Sequence, residues 1–516
     1  MKYIMKNKIL AVALSLMVVF TWGCDDYLDV NQDPNVLSDI PDPVVLLPAA
    51  QVGLGNQLMG WDFGFGGAYW VEYWTQSYTA SQFKTLCEYQ ETEFDDAYQD
   101  LTAGVLNDLK RIKTLSGDND NKAPYYVAEV LSIFTWQVMT DVWGDIPYSE
   151  ALKGDEGIDS PKFDEGEDIY TDLLARINAL TEIDLSEGYL EEKYDFYYAG
   201  NLEHWKKFAN SVKLKLMLRL SETSGYNNAD VLNFIENNDL LEKHARIKGS
   251  VWEEKEGKRH PMLEFEEGGA GYRSTNVIAC KTFLDYLESL GDPRTDKLFE
   301  APDSGHKGAF FGDFDSKADS DGNGTADDDE EYSESLFINE TSLVVMSTFE
   351  VDFYIAEVYA RAMDNANAKK YYDRAVASSL KLHGYSDAEI ASFDYTGDDG
   401  AAKWVDIATP EEGIKQVAMQ KWVAYANYQH IEAFLERNRT KYPPVDDVDV
   451  KADRTGVWDN FPVGYLTVSV NGRTKTNAKL PSSPIYPQEV LTRNINAPGQ
   501  KTDLLEKVWW DKKVGK

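Results

Sequence analysis

Cysteine is nearly missing from this chain: three residues, at positions 24, 87 and 280, in a length of 516. So few cannot build a disulfide framework, no two stand as CxxC, and no Cys/His spacing suits zinc. If Cys24 is used elsewhere, Cys87 and Cys280 remain, either paired in an oxidising compartment or buried as two thiols. Histidine is as sparse, six scattered residues without ligand spacing. No GxSxG, HExxH, phosphate-binding glycine loop or dinucleotide fingerprint occurs. Glycoside hydrolysis needs only two carboxylates, and among 88 acidic residues no pair stands out. The chain is therefore expected to bind rather than catalyse; a scaffold that docks only other proteins is the competing reading. Positive charge is the other deficit, with 51 Lys and Arg against 88 Asp and Glu and a formal net charge of −37. Such a surface repels phosphates and anionic lipid, which excludes nucleic acid as a partner and leaves neutral or cationic ligands. Acidity does not imply disorder here, because 43% of the residues are hydrophobic and the length is ample for a large core.

Long apolar runs are equally rare, and the one present stands at the start. Lys2, Lys6 and Lys8 precede the apolar stretch 9–20, and Gly23 then precedes Cys24. This is the three-part layout of a secretory signal, too short in its apolar part for a transmembrane helix. The small residue before the cysteine resembles a lipobox, although Thr21 and Trp22 replace the usual Leu-Ala. Residues 1–23 are thus expected to be a signal peptide, Cys24 the lipidated first residue, and 24–45 a tether. Asp25 and Asp26 resemble the acidic export signal of Gram-negative lipoproteins that face outward from the outer membrane. No later stretch is apolar enough to span a bilayer, so everything after Cys24 is expected to be soluble, with 46–516 a single domain.

Periodicity predicts mostly helix. Apolar residues recur at three- and four-residue spacing over 95–115, 125–142 and 202–222. In the last, Trp205, Phe208, Val212, Leu216 and Leu220 share one face, with the lysines elsewhere. Strand-like alternation is sparse; GYLTVSVNG (464–472) is its clearest case and suggests a hairpin. Over 352–385, Ala356, Tyr359, Ala368, Tyr372 and Ala375 take the small and aromatic positions of a tetratricopeptide helix pair. Asp352 stands at the usual Trp position. One such pair cannot bury its own faces, so other helix pairs must stack on it.

Seven stretches then fall in a recognisable order. CDDYLDVNQDPN opens the mature chain, followed by TDVWGDIPYSEAL (140–152), HWKKFANSVKLKLMLRLS (204–221), LGDPRTDKLF (290–299) and QKWVAYANYQHIEAFLERNRTKYP (420–443), with Lys441 where Gly is frequent. PIYPQEV and KVWWD close the set. Together they resemble the SusD/RagB family of outer-membrane nutrient-binding lipoproteins, across the whole mature chain. The resemblance implies a mainly α fold of tetratricopeptide-type helix pairs with long irregular loops and a loop-rich ligand face. It also implies a TonB-dependent outer-membrane barrel of the SusC type as partner, over which the lipoprotein acts as a lid. The cargo it implies is an oligosaccharide, with a peptide, as in RagB-like members, as the alternative.

Two stretches carry candidate site residues. DSDGNGTADDDE (319–330) has the spacing of a calcium loop. Asp319, Asp321, Asn323, Thr325 (through its carbonyl), Asp327 and Glu330 supply oxygens around a turn at Gly324. Position 326 is Ala rather than a larger aliphatic, and the preceding KGAFFGDF does not read as an entering helix, so the loop would stand outside an EF-hand pair. A solvated acidic loop is the alternative. In GWDFGFGGAYWVEYWTQSYTAS (60–81), glycines are expected to break regular structure at the start. Residues 68–78 then place Trp70, Trp74 and Tyr78 on one helical face, which serves either as core or as a sugar-stacking surface. Trp61 lies in the glycine-rich part, where burial is less assured. EFEEGGAGYRSTN (264–276) would present Tyr272 and Arg273 as a second wall. Sugars lay their C–H faces on rigid rings and need a few polar partners, so Trp61, Trp70, Trp74, Tyr78, Tyr272 and Arg273 are the candidate ligand residues.

Overall fold

The computed structural model describes residues 42–77, 80, 82–266, 275–303, 305–314, 332–338 and 340–515. Cys24, Tyr78, Tyr272, Arg273 and the acidic loop with Asp319, Asp321, Asn323, Thr325, Asp327 and Glu330 lie outside them. The fold is mainly α, with short strands. The predicted helices are present as Ala123–Trp143 and Leu202–Arg219. The 95–115 helix runs as α over Asp95–Gln99, widens to a π turn over Asp100–Leu106 and returns to α over Asn107–Ser116.

Local chemistry sets the helix starts. Asn201 accepts the His204 N–H, Ser347 that of Glu350 and Asp364 that of Asn367. Thr409 and Glu412 form a reciprocal capping box with Pro410 at the first turn. The tetratricopeptide pair is Thr348–Arg361 and Asn365–Leu382. Ala356, Ala368 and Ala375 are fully buried between the two helices, so their axes approach closely. Asp352, standing where Trp is usual, is buried and accepts from Arg374 Nε at 2.7 Å. Helix Pro410–Tyr425 packs against the pair, with Gly413 set against Ala360.

Three findings go beyond the expectations. Lys215, which lies off the apolar face of Leu202–Arg219, and Arg219 are both buried. Lys215 pairs with Glu350 at 3.0 Å and Glu432 at 2.7 Å; Arg219 pairs with Asp141, Glu432 and Glu436 at 2.9, 2.6 and 2.7 Å. Lys421 and Arg439 complete the cluster by holding Glu436 at 2.6 and 2.7 Å, and Arg439 reaches Glu357 at 2.6 Å. Secondly, 464–472 is not a hairpin. It is a buried extended strip whose Val470 N–H donates to Phe311 O at 2.9 Å and whose Ser469 N–H meets the Tyr89 hydroxyl at 3.2 Å. Its alternation matches two different neighbours instead of a returning strand. Thirdly, the expected tether ends early: Asp42 caps a short helix Pro43–Leu46 in which Pro43 and Val44 are buried.

A small antiparallel sheet positions the candidate site. Its strands are Trp74–Thr75, Ile278–Ala279, Glu334–Ser335 and Phe299–Glu300, in that order. Cys87 and Cys280 are buried thiols and form no disulfide.

Candidate functional site: a ring platform beside a small sheet

The glycine-rich stretch is helical rather than broken. Trp61–Phe65 forms a π turn that runs straight into the α-helix Gly66–Trp70. The glycines serve close packing. A Cβ at Gly67 would collide with the His430 and Ile431 backbone, and one at Gly66 with the Phe94 ring. His430 then locks the contact: Nδ1 pairs with Gly64 O at 2.8 Å while Nε2 accepts the Asn427 N–H at 2.8 Å. Burial lowers its pKa to about 4, which keeps the ring neutral and suits it to both bonds.

The helix stops at Trp70, and Glu72 adopts a left-handed conformation with φ 61°. Trp70 and Trp74 therefore do not share a helical face. Trp70 and Trp74 are each 1% exposed. Trp70 packs on Phe94 and Phe434, and Trp74 on Phe65 and His430. Both are core rings with no surface to offer a ligand, a correction to the expected stacking face. Trp61 differs, at 48% exposed. Its ring centroid lies 4.6 Å from Phe83 and 5.6 Å from Phe65, and those two rings stack 4.4 Å apart at 16°. Tyr69 backs Phe83 at 5.3 Å. Beneath, Asp62 accepts the Ala97 N–H at 2.9 Å, and burial pushes its pKa up to about 6.

Phe83 was not among the sequence candidates; it stands 22 positions beyond Trp61 in an irregular stretch and no periodicity links them. What the structure brings together are the flanks of the undescribed loops. Ser77 N–H donates to Thr275 O at 2.7 Å, and Gln76 Nε2 to Asn276 Oδ1 at 2.6 Å. The segment entering the acidic loop is pinned where Gly312 N–H meets the Thr75 hydroxyl at 3.1 Å. The segment leaving it is pinned where Ala279 N–H meets Ser333 O at 2.8 Å. The stretches carrying Tyr78 and the acidic loop thus leave, and the stretch carrying Tyr272 and Arg273 rejoins, beside one sheet next to Trp61. Among the described residues no group of three or more His, Cys, Asp or Glu is placed to hold a metal, and no helix is long and apolar enough to cross a membrane.

A helical body of stacked pairs with a ring platform beside a loop-bearing sheet defines a ligand-binding scaffold, and comparison with known families places it. The family model described as SusD-like, starch-binding associating with outer membrane, matches residues 34–460. The chain belongs to this SusD-like family. Similar solved structures include a SusD homologue from Bacteroides uniformis, with 21% identity and a TM-score of 0.71 over 91% of this chain and 99% of that one. A chitin-binding protein shares 21% identity with a TM-score of 0.69, over 91% of this chain and 100% of its own. A chitin-binding SusD homologue from Flavobacterium johnsoniae shares 18% identity with a TM-score of 0.67, over 91% and 98%. At these identities the likeness speaks for the fold. Comparison with curated proteins finds no match.

Proposed function

We propose that the protein is a cell-surface lipoprotein that binds oligosaccharide or polysaccharide on the Trp61 platform and passes it, unaltered, to a SusC-type TonB-dependent barrel. The observation that carries this reading is the half-exposed Trp61 ring, backed by Phe65 and Phe83, with the helix that follows closely packed at Gly66 and Gly67. A ring held in place loses little entropy on stacking against a sugar. Tyr78, Tyr272 and Arg273 would add further walls, since the ends of their segments converge beside it. The description of the family and the chitin-binding members of the fold support a glycan as cargo. The test is a glycan array with the chain lacking residues 1–24, followed by titration of the best glycan. Loss of that binding in Trp61→Ala is expected; full affinity in a folded Trp61→Ala would move the site elsewhere. Capture of peptides but no glycan would replace the cargo with that of RagB-like members.

The reading includes a lipid on Cys24 and an outward-facing position at the outer membrane. Cys24→Ser should release the protein into the soluble fraction, and retention in the membrane would mean another anchor. It also includes a structural calcium ion held by Asp319, Asp321, Asn323, Thr325, Asp327 and Glu330. Calcium bound only to the folded chain raises its melting temperature with concentration. An identical melting curve in chelator and in millimolar calcium would leave a solvated acidic loop.

A further inference from the structure

A cavity of about 600 Å³ lies between helices Asn107–Ser116, Ala123–Trp143 and Gly166–Ala179 and the turn around Tyr148. Its lining includes none of the residues of the Trp61 platform. Ser132, in its wall, is three helical turns from Trp143, the ring that meets Phe63 at the base of the platform. That separation is roughly 16 Å at 1.5 Å per residue.

The cavity floor is charged yet internally balanced. Glu129 accepts from Lys113 at 2.7 Å and from Arg176 Nε at 2.6 Å. Burial opposes its charge, but those two cations bring its pKa down to about 2. Arg176 Nη1 also donates to the Tyr148 hydroxyl at 2.7 Å, and that hydroxyl donates to Asp172. Trp136 meets Tyr148 edge to face at 5.1 Å, and both rings line the space. One polar group is left over. Ser132 is 1% exposed, it lines the cavity, and its Oγ has no hydrogen-bond partner. The other hydroxyls of this stretch of helix behave differently: Thr135 and Thr140 bond back to the Leu131 and Trp136 carbonyls at 2.8 Å. A buried hydroxyl without a partner is uncommon and costly, and a polar cavity is where an incoming group can satisfy it.

We infer that this cavity is a second ligand site, for a neutral polyhydroxylated molecule of one or two sugar rings. The lining sets Lys110, Lys113, Lys153 and Arg176 against Glu129, Glu156, Asp164, Asp168 and Asp172, a near balance of donors and acceptors that favours hydroxyls over an ionic ligand. The Trp136 and Tyr148 rings supply apolar surface for C–H groups, and the Ser132 hydroxyl is the unfilled partner. The size and the family's proposed cargo set the choice of probe; the site itself stands apart from the platform.

The test is saturation-transfer NMR and tryptophan fluorescence on the mature protein with glucose, N-acetylglucosamine, maltose and cellobiose. Ser132→Val removes the hydroxyl and fills its space. Asp168→Trp changes an exposed cavity-lining residue and sets a ring across the opening. At least one probe is expected to bind, with affinity falling about tenfold or more in both variants. If Ser132→Val does not fold, Asp168→Trp decides alone. Absence of binding by all four probes at millimolar concentration would mean the cavity holds water only, and would overturn the inference. So would short-saccharide binding lost in Trp61→Ala but kept in Asp168→Trp, an outcome that leaves the platform reading intact. Loss in Asp168→Trp with long glycan bound normally by Trp61→Ala would instead uphold this site and remove the platform.

Discussion

In the helical body, Lys215, Arg219, Lys421 and Arg439 meet Asp141, Glu350, Glu357, Glu432 and Glu436, all nine buried. Beside the small sheet, rings meet rings, and Trp61 stands half in water on Phe65 and Phe83. The first region ties together helices hundreds of residues apart, since each ion needs partners that only the assembled fold supplies. Removing one member strands the others in a dry interior. The second region takes its shape from missing Cβ atoms at Gly66 and Gly67, so its exposed ring can be deleted while the frame beneath stays closed. On the proposed function, stability and binding are carried by different residues, and three substitutions probe that division.

The largest effect belongs to Arg439→Met. It leaves Glu357 and Glu436 short of a buried guanidinium and is expected to cost about 3–5 kcal/mol in chemical denaturation. Burial raises the pKa of Glu357, but Arg439 and Arg361 outweigh it and hold the group at about 2, with Glu436 also well below its ordinary range. Carboxylates depressed on folding stabilise the protein above their unfolded value, near 4.5, and that contribution disappears as pH falls toward 2. Arg439→Met should blunt this acid sensitivity; a near-wild-type unfolding midpoint would mean the cluster contributes little. Next is Trp61→Ala, with a loss of about 2 kcal/mol in glycan affinity, close to thirtyfold. Its denaturation midpoint should stay near wild type, and a large drop in stability with intact binding would reverse the comparison.

The effect that starts smallest, near zero at about pH 5, sits where the regions meet. Glu72, buried beside the sheet, is held by the Thr282 hydroxyl at 2.6 Å and the Thr467 N–H at 3.1 Å. Burial nonetheless pushes its pKa up to about 8 from an ordinary 4.5. Between those values the folded chain keeps a proton that the unfolded chain has released, so stability declines as pH rises through this window and levels off above it. Glu72→Gln has no proton to lose and should gain on the wild type by about 1.4 kcal/mol for each pH unit between about pH 5 and about pH 8, with no further gain above that. Parallel stability curves over that range would show that Glu72 is not protonated in the native state.

Much of the helical body was legible because its signal is local. Apolar spacing marked 125–142, and small residues marked the Ala356–Ala368–Ala375 contact. The buried fate of Lys215 and Arg219 was not, since Glu350, Glu432 and Glu436 lie more than a hundred positions away and leave no mark on the helix bearing the cations. Two-residue strands have too little length for a period, so the sheet leaves no trace in the sequence, while the alternation over 464–472 mimics a hairpin. The left-handed turn at Glu72, adopted by a residue with no special propensity for it, undid the helical register of Trp70 and Trp74. Trp61 was flagged by its glycine-rich setting, and the structure leaves it exposed for a different reason, a π turn packed tightly against His430.

The pins around the small sheet carry one more implication. The segments that leave or rejoin there are held by backbone hydrogen bonds from residues such as Ser77, Ser333 and Gly312, which belong to the frame and not to the segments. Once both ends are pinned, extra chain between them is cheap: doubling a flexible loop adds only about 0.6 kcal/mol of closure entropy. The frame can therefore tolerate grafted segments of other lengths and compositions without refolding, while the Trp61 ring stays where it is. On the proposed function, such an arrangement would make cargo preference a replaceable attachment on a fixed mount.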